Sequence, residues 1–404
     1  MKVSVLIIPD LFYGQASGAI AARMAAKLWR ELGCDISVYA EPPLNLESAE
    51  GIDFQFRFYA RPPFQGSDHF FPGDKQLHFE NVLRQSGATH VFFLGMAYNK
   101  ARFLFHTCQK SDVKMIAMWW TQDFYCANGY GTLPDGPCNR CVEGTFSHSL
   151  LNHCTKVEGI QKYIRLAYQT VSRSRLRQEI FNCEALLGSS STQLRDYERY
   201  GVPPDRIVHC PLFFPRERLD GIVPSRGKRF IYYGQARFEK GFHLLRSIFQ
   251  HCSKARFVLP FSTEEQATKA VAEHDLAEFI QGERIQVVSN MTWSSGLAEL
   301  VASSRGVVIP SLWPSTTEYV LLEALGLAKP VIAFQVGIHA DVLTSGQNGF
   351  VVPVGHIDEF AASLDRLADD DSLCDHISIG AKELYYSLTD PLSCMKAFQK
   401  ALHL

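Results

Sequence analysis

The chain has 404 residues, too many for one ordinary core and about right for two of ~200. Its 40 Lys+Arg and 42 Asp+Glu leave a net charge of −2, and 46% apolar with 20% charged residues suits a packed globular protein. These values exclude a disordered, collagenous or strongly nucleic-acid-binding chain, and no run of eighteen apolar residues offers a membrane span, because polar residues interrupt the candidates at 89–97 and 329–339.

Taken in chain order, residues 3–8 read as a buried strand, too short before Pro9 and Asp10 to be a secretory core. Eleven cysteines, an odd number, point to a reducing cytoplasm rather than a disulfide framework. A loop containing Gly14 and Gly18 leads into a helix whose Ile20, Met24, Leu28 and Leu32 recur every four residues. Gly33 ends that helix and Asp35 to Ala40 is the next strand, a βαβ unit that generates a parallel sheet. Further strands are predicted at His90 to Leu94, Lys114 to Trp119 and Ala185 to Gly188. Between 41 and 88 the pattern supports no assignment, and the aromatic run from Phe54 to Tyr59 reads either as core or as a peripheral, membrane-facing edge.

Around 201–228 the chain-breaking residues Gly201, Pro203, Pro204, Pro211, Pro215, Gly221, Pro224 and Gly227 crowd together, as an interdomain crossing requires. The expected division is a domain over 1–220, a second over 221–385, and a final helix over 386–404 that packs back on the first. Strands resume at Arg229 to Tyr233, Arg256 to Leu259, Arg284 to Val288, Gly306 to Pro310 and Pro330 to Phe334. The predicted fold class is α/β, two Rossmann-like domains with parallel sheets facing a central cleft.

Two segments carry the most chemistry. Residues 310–334 read as a strand, a Ser/Thr-rich loop, a helix and another strand; the helix start offers unpaired N–H groups and a positive dipole end to a phosphate. Thr316 and Thr317 are N-cap candidates whether or not a ligand binds. Residues Tyr233-Gly234-Gln235-Ala236-Arg237-Phe238-Glu239-Lys240-Gly241 follow a strand and bring two cations to its end. Such cations either lie solvated in a turn or stabilise a leaving group that accumulates negative charge.

Residues 310–334 resemble the signature of retaining GT-B glycosyltransferases of the family-four kind, in which a proline-serine strand end precedes two glutamates. The resemblance places Glu323 on the donor ribose. The first glutamate falls on Ser315, so Glu318, in the loop with Thr316, Thr317 and Tyr319, offers a carboxylate from a different backbone position. Residues 233–241 are similar to the family's diphosphate grip: Gly234, Lys240 and Gly241 match, Gln235 replaces an arginine, and Arg237 restores the charge. Residues 337–341 and 346–353 add family-like text, and the likeness covers 229–385 well and the first half more loosely. There the Gly14 to Gly18 loop corresponds to a glycine-rich loop facing donor and acceptor, a role that a plain strand-to-helix connection explains equally well. A subgroup reads histidine-aspartate-aromatic where this chain has Gln122-Asp123-Phe124. Gln122 hydrogen-bonds but is no base, and it and Asp123 also read as a loop hydrogen-bond pair.

The resemblance implies transfer of a sugar, with retention, from a nucleoside diphosphate sugar to a glycan or lipid-linked surface-polysaccharide precursor; the expected location is the cytoplasm, either free or in peripheral contact with the inner face of the membrane. Gln122, Asp123, Arg237 and Lys240 would serve the reaction, the departing phosphate would help take the acceptor proton, and no catalytic metal would be needed. A non-catalytic GT-B subunit that binds nucleotide sugar or a partner enzyme is the alternative.

Cys126, Cys138, Cys141 and Cys154 form a C-x11-C-x2-C-x12-C pattern in a turn-rich stretch. Two thiolates from one tight knuckle and two more distant ones can complete a tetrahedron with Zn–S bonds of ~2.3 Å, a structural zinc that would also supply folding free energy. An iron–sulfur cluster accepts the same set, and unligated thiols or a disulfide remain open. His148 and His153 are substitute ligands or ordinary histidines. A nucleic-acid module is not expected, because no basic run with interleaved aromatics surrounds the cluster.

Overall fold

A computed structural model describes residues 3–43, 56–95, 98–143, 147–152, 154, 159–316 and 318–403. The chain divides into two compact units, one of Met1–Leu133, Cys138–Pro215 and Asp390–Leu404, the other of Pro134–Pro137 and Arg216–Thr389.

The first unit is built on strands β1 (Ser4–Pro9), β2 (Asp35–Ala40), β3 (Arg57–Ala60), β4 (His90–Leu94), β5 (Lys114–Met118), a short pair β6 (Thr132–Leu133) and β7 (Gly136–Pro137), β8 (Ala185–Gly188) and β9 (Ile207–His209). Seven of them form a parallel sheet in the order β3-β2-β1-β4-β5-β8-β9. The central strands are buried along their length, which is why they read as continuous apolar runs. Helices α1 (Ser17–Glu31), α2 (Asp74–Ser86), α3 (Tyr98–Lys110), α4 (Ser147–Leu151), α5 (Ile160–Ile180) and α6 (Ser191–Tyr200) accompany the sheet. Residues 41–88, left unassigned by their pattern, contain β3 and α2. Phe54 and Gln55 of the aromatic run lie outside the described residues, and Phe58 packs its ring against Phe12 and Tyr13.

The second unit holds β10 (Arg229–Ile231), β11 (Arg256–Pro260), β12 (Ile285–Val288), β13 (Gly306–Ile309), β14 (Val331–Phe334) and β15 (Phe350–Val352), parallel in the order β12-β11-β10-β13-β14-β15. Its helices are α7 (Leu245–His251), α8 (Glu264–Glu273), α9 (Ala277–Gln281), α10 (Leu297–Ala302), α11 (Tyr319–Gly326), α12 (Gly337–Val342), α13 (Ile357–Asp369) and α14 (Asp371–Leu388). The last helix, α15 (Pro391–Ala401), belongs to the first unit, where Phe398 stacks on Trp29 at 4.1 Å between ring centres and meets Phe92 and Phe213.

Strand order reverses between β1 and β4 in one unit and between β10 and β13 in the other. Ligands of open α/β sheets bind outside the carboxyl ends of the strands at such switch points. In the second unit those ends lead into 232–241 and 310–316, the two segments singled out above. No helix among the described residues is long and apolar enough to cross a membrane.

Candidate active site

After β10 the chain turns back on itself through one 3-10 turn, Phe238–Lys240, and Gly241 follows with φ +72°. A Cβ at Gly241 would stand 1.7 Å from the Pro310 carbonyl oxygen, so only glycine lets the two strand-end segments touch. The Glu239 carbonyl then accepts from the Leu312 N–H at 3.0 Å, the Trp313 N–H at 3.1 Å and the Ser311 hydroxyl at 3.2 Å. On the far side the 313–316 loop lies on Gly337, whose φ is +48° and whose added Cβ would come 2.5 Å from the Ser315 carbonyl oxygen. Two glycines thus clamp the Ser/Thr loop against its neighbours.

Lys240 and Glu318 meet inside this frame. The Lys240 ammonium donates to Glu318 Oε1 at 2.7 Å and sits 4.5 Å from the centre of the Trp313 ring. Glu318 is 3% exposed, its Oε2 has no hydrogen-bond partner among the described residues, and His339 Nε2 lies 4.0 Å from it. Burial holds the His339 pKa below its ordinary value, opposed by Glu318. The expected capping is corrected here. The N-cap of α11 is Glu318, not a threonine, and its side chain makes no capping bond because the nearby ammonium is the stronger partner. Thr316 and Ser315 are buried beside it, and Thr317 lies outside the described residues.

Glu323 is one turn further along α11. Its Oε1 accepts from Arg218 Nε at 2.7 Å and its Oε2 from the Tyr233 hydroxyl at 3.3 Å, which also donates to the Val320 carbonyl at 3.1 Å. Burial pushes the Glu323 carboxyl up to about 7 despite the opposing Arg218 charge. The Arg218 guanidinium in turn lies over the Trp293 ring at 4.4 Å. Arg237 is the exposed cation of the loop, ion-paired with Glu239 and 3.4 Å from Gln235 Oε1.

A cavity of about 580 Å³ opens beside this loop. Tyr233, Gly234, Gln235, Ala236 and Arg237 form one wall; Pro260, Phe261 and Ser262 after β11, Gln266, Lys269, Ala270 and Glu273 of α8, and Met291 and Leu297 form the rest. The volume suits a nucleotide-sized ligand. Of the predicted residues, Gly234 and Arg237 line it, whereas Lys240, Glu318 and Glu323 belong to the buried network and do not. The α8 wall, Arg218, Tyr233 and His339 were not singled out in the sequence. A Thr263 cap whose hydroxyl accepts from Gln266 N was the local signal for α8; nothing local marks Arg218, 105 residues from its partner.

In the first unit Gly14 has φ +85°, and its carbonyl, with that of Phe12, accepts from Arg23 Nη1. Gly18 opens α1 so close to Trp120 that an added Cβ would stand 2.8 Å from the ring. Gln122 is buried: its N–H donates to the Gly129 carbonyl at 3.0 Å and its carbonyl accepts from Tyr125 and Cys126 N–H groups. Asp123 Oδ1 accepts from the Thr121 hydroxyl at 2.9 Å, and Arg173 Nε donates to the Asp123 carbonyl. These contacts make 121–129 a tight turn.

Cys126, Cys138, Cys141 and Cys154 do come together, lining a cavity of about 10 Å³ with Asn128, Arg140, His148 and Asn152 among others. Among the described residues no group of three or more His, Cys, Asp or Glu that could hold a metal ion is found. Hydrogen bonds order the turn around these sulfurs. Asn128 Oδ1 accepts from Cys126 Sγ, Tyr130 N and Gly131 N, its Nδ2 donates to the Thr132 carbonyl, and Arg173 Nη2 donates to the Cys126 carbonyl at 2.5 Å. Burial, with the neighbouring sulfurs, pushes the Cys141 thiol up to about 12 and that of Cys154 to about 11. His153 lies outside the described residues.

Residues 227–370 match the family model described as glycosyl transferases group 1. No curated protein matches the chain in sequence. Among solved structures the chain is similar to sucrose-phosphate synthase from Thermosynechococcus elongatus (14% identity, TM-score 0.70, covering 100% of this chain and 98% of that one). It is also similar to HepE of Anabaena in complex with UDP-glucose (12%, TM-score 0.70, 99% and 100%) and to a TarM variant of S. aureus in complex with UDP, α-GlcNAc-glycerol and fondaparinux (10%, TM-score 0.67, 100% of each). With a glycosyl transferases group 1 match across its second unit and the GT-B fold throughout, the chain is a glycosyltransferase of the GT-B fold.

Proposed function

We propose that the chain transfers a sugar, with retention of configuration, from a nucleoside diphosphate donor to a glycan or lipid-linked precursor of a surface polysaccharide. The observation that carries this reading is the cavity at the carboxyl ends of β10 and β11, walled by the glycine-containing Arg237 loop. Support also comes from HepE and TarM, whose structures contain UDP-glucose, or UDP with saccharides.

The donor base and ribose would occupy the cavity, and its diphosphate would lie along 234–241. Arg237 is the accessible cation there, and the start of α11 adds backbone N–H groups. Lys240 is already paired with Glu318, so its charge acts through that pair: a diphosphate drawing Lys240 away would leave the Glu318 carboxylate for a donor-sugar hydroxyl. Glu318 would thereby do the work of the carboxylate that Ser315 lacks. Glu323, which reaches the cavity wall through the Tyr233 hydroxyl, would accept from a ribose hydroxyl that displaces it. Gln122 and the Gly14–Gly18 loop would serve the acceptor as hydrogen-bonding and close-packing elements, not as proton acceptors.

Thermal melts with UDP, GDP, ADP and their sugars test the donor, since a ligand bound only by the folded chain raises its stability. One nucleotide should raise the melting temperature and Arg237→Ala should weaken that shift by about tenfold in affinity. NMR of the product's anomeric centre reads retention. No shift with any nucleotide, or an inverted product, overturns the corresponding part.

A further inference from the structure

Helix α5 is packed on one side and bare on the other. Leu166, Gln169, Ser172, Arg173, Leu176 and Ile180 face the interior. On the opposite side Ile160, Tyr163, Ile164 and Val171 are 73%, 60%, 64% and 46% exposed, with exposed Ala167 between them. Positions 160, 164, 167 and 171 form one stripe over three turns at 3.6 residues per turn. The stripe continues sideways, because Tyr168 and Arg175 both pack on the Phe70 ring and the adjacent Phe71 is 81% exposed. A surface helix should present polar residues here.

Charge identifies what the stripe meets. Arg165 and Arg175 are exposed beside it, and no Asp or Glu occurs between Gly159 and Gln178. We propose that α5 is a membrane-docking helix that lies flat in the interface of an anionic bilayer, the stripe among the acyl chains and the arginines on headgroup phosphates. A helix of 21 residues spans about 30 Å, enough to lie along the surface, and an interfacial helix inserts its apolar side by about 5–10 Å. Arginine stems cover apolar surface while their heads reach the phosphates, and the Tyr163 ring suits the same boundary. An acidic protein groove would also match the charge, but four large apolar side chains left in water favour the bilayer as partner. The inference does not rest on the sugar-transfer reading.

Co-sedimentation of the full chain with vesicles tests it. The chain should pellet with phosphatidylcholine vesicles containing about a third phosphatidylglycerol and stay in solution with phosphatidylcholine alone. The double variant Ile160→Ser/Ile164→Ser should lose about tenfold or more in partitioning, and Arg165→Glu a comparable factor that shrinks at high salt. Unchanged melting temperatures of these variants show that the fold is kept. The proposal falls if the full chain ignores anionic vesicles, or if the variants bind them as the parent does. It also falls if sedimentation velocity without lipid shows a dimer that Ile160→Ser/Ile164→Ser abolishes, which would make the stripe a protein interface.

Discussion

Glu323 titrates near neutrality because burial disfavours its charge more than Arg218 and Tyr233 favour it. A carboxyl whose folded pKa is raised binds its proton more tightly in the native state. Folding stability from this group is therefore present at low pH and is lost as pH rises from 4.5 to about 7. The loss is on the order of 3 kcal/mol. Glu323→Gln should shrink the difference in melting temperature between pH 5 and pH 8; an unchanged difference would show that Glu323 is ionised throughout. Lys240→Met should leave the Glu318 carboxylate buried without its cation and cost about 3 kcal/mol, most of it recovered in Lys240→Met/Glu318→Gln. Urea unfolding of Lys240→Met, Glu318→Gln and the double variant checks this double-mutant relation. Lys240 and Glu323 were legible in the sequence because each sits in a motif of local spacing. Their pairings were not: 78 residues separate Lys240 from Glu318, and 90 separate Tyr233 from Glu323.

Glycine shows how an element's environment, rather than its conformation alone, sets the cost of a change. Gly14 and Gly241 both have positive φ, +85° and +72°. An added Cβ at Gly14 meets nothing within 4 Å, whereas at Gly241 it would overlap the Pro310 carbonyl. Gly14→Ala should thus cost about 1 kcal/mol of backbone strain. Gly241→Ala should separate the 236–241 turn from 310–313 and cost well over about 2 kcal/mol, with nucleotide-induced stabilisation lost. Thermal melts with and without UDP distinguish the two. The same limit applies to the cysteine loop. Spacing foretold that the four sulfurs would meet, but it could not foretell that an Asn128 side chain, through four hydrogen bonds, would shape the turn around them.

At the scale of the whole chain, α15 returns from the end of the sequence to the first unit and inserts Phe398 against Trp29. Both rings are fully buried, so Phe398→Ala should cost about 3–5 kcal/mol and shift the Trp29 fluorescence, measured by urea unfolding followed at tryptophan emission. A melt in which only the first unit loses stability would agree with this placement; an unchanged melt would contradict it. Alternation of apolar runs with amphipathic stretches determined by itself that two parallel α/β sheets form, because strand burial and helix periodicity are written locally. The order of the strands, the switch points they create, and the pairing of Lys240 with Glu318 and of Arg218 with Glu323 were decided only by tertiary structure. Each depends on which distant segments come to lie side by side, and neither hydrophobic period nor motif spacing encodes that neighbourhood.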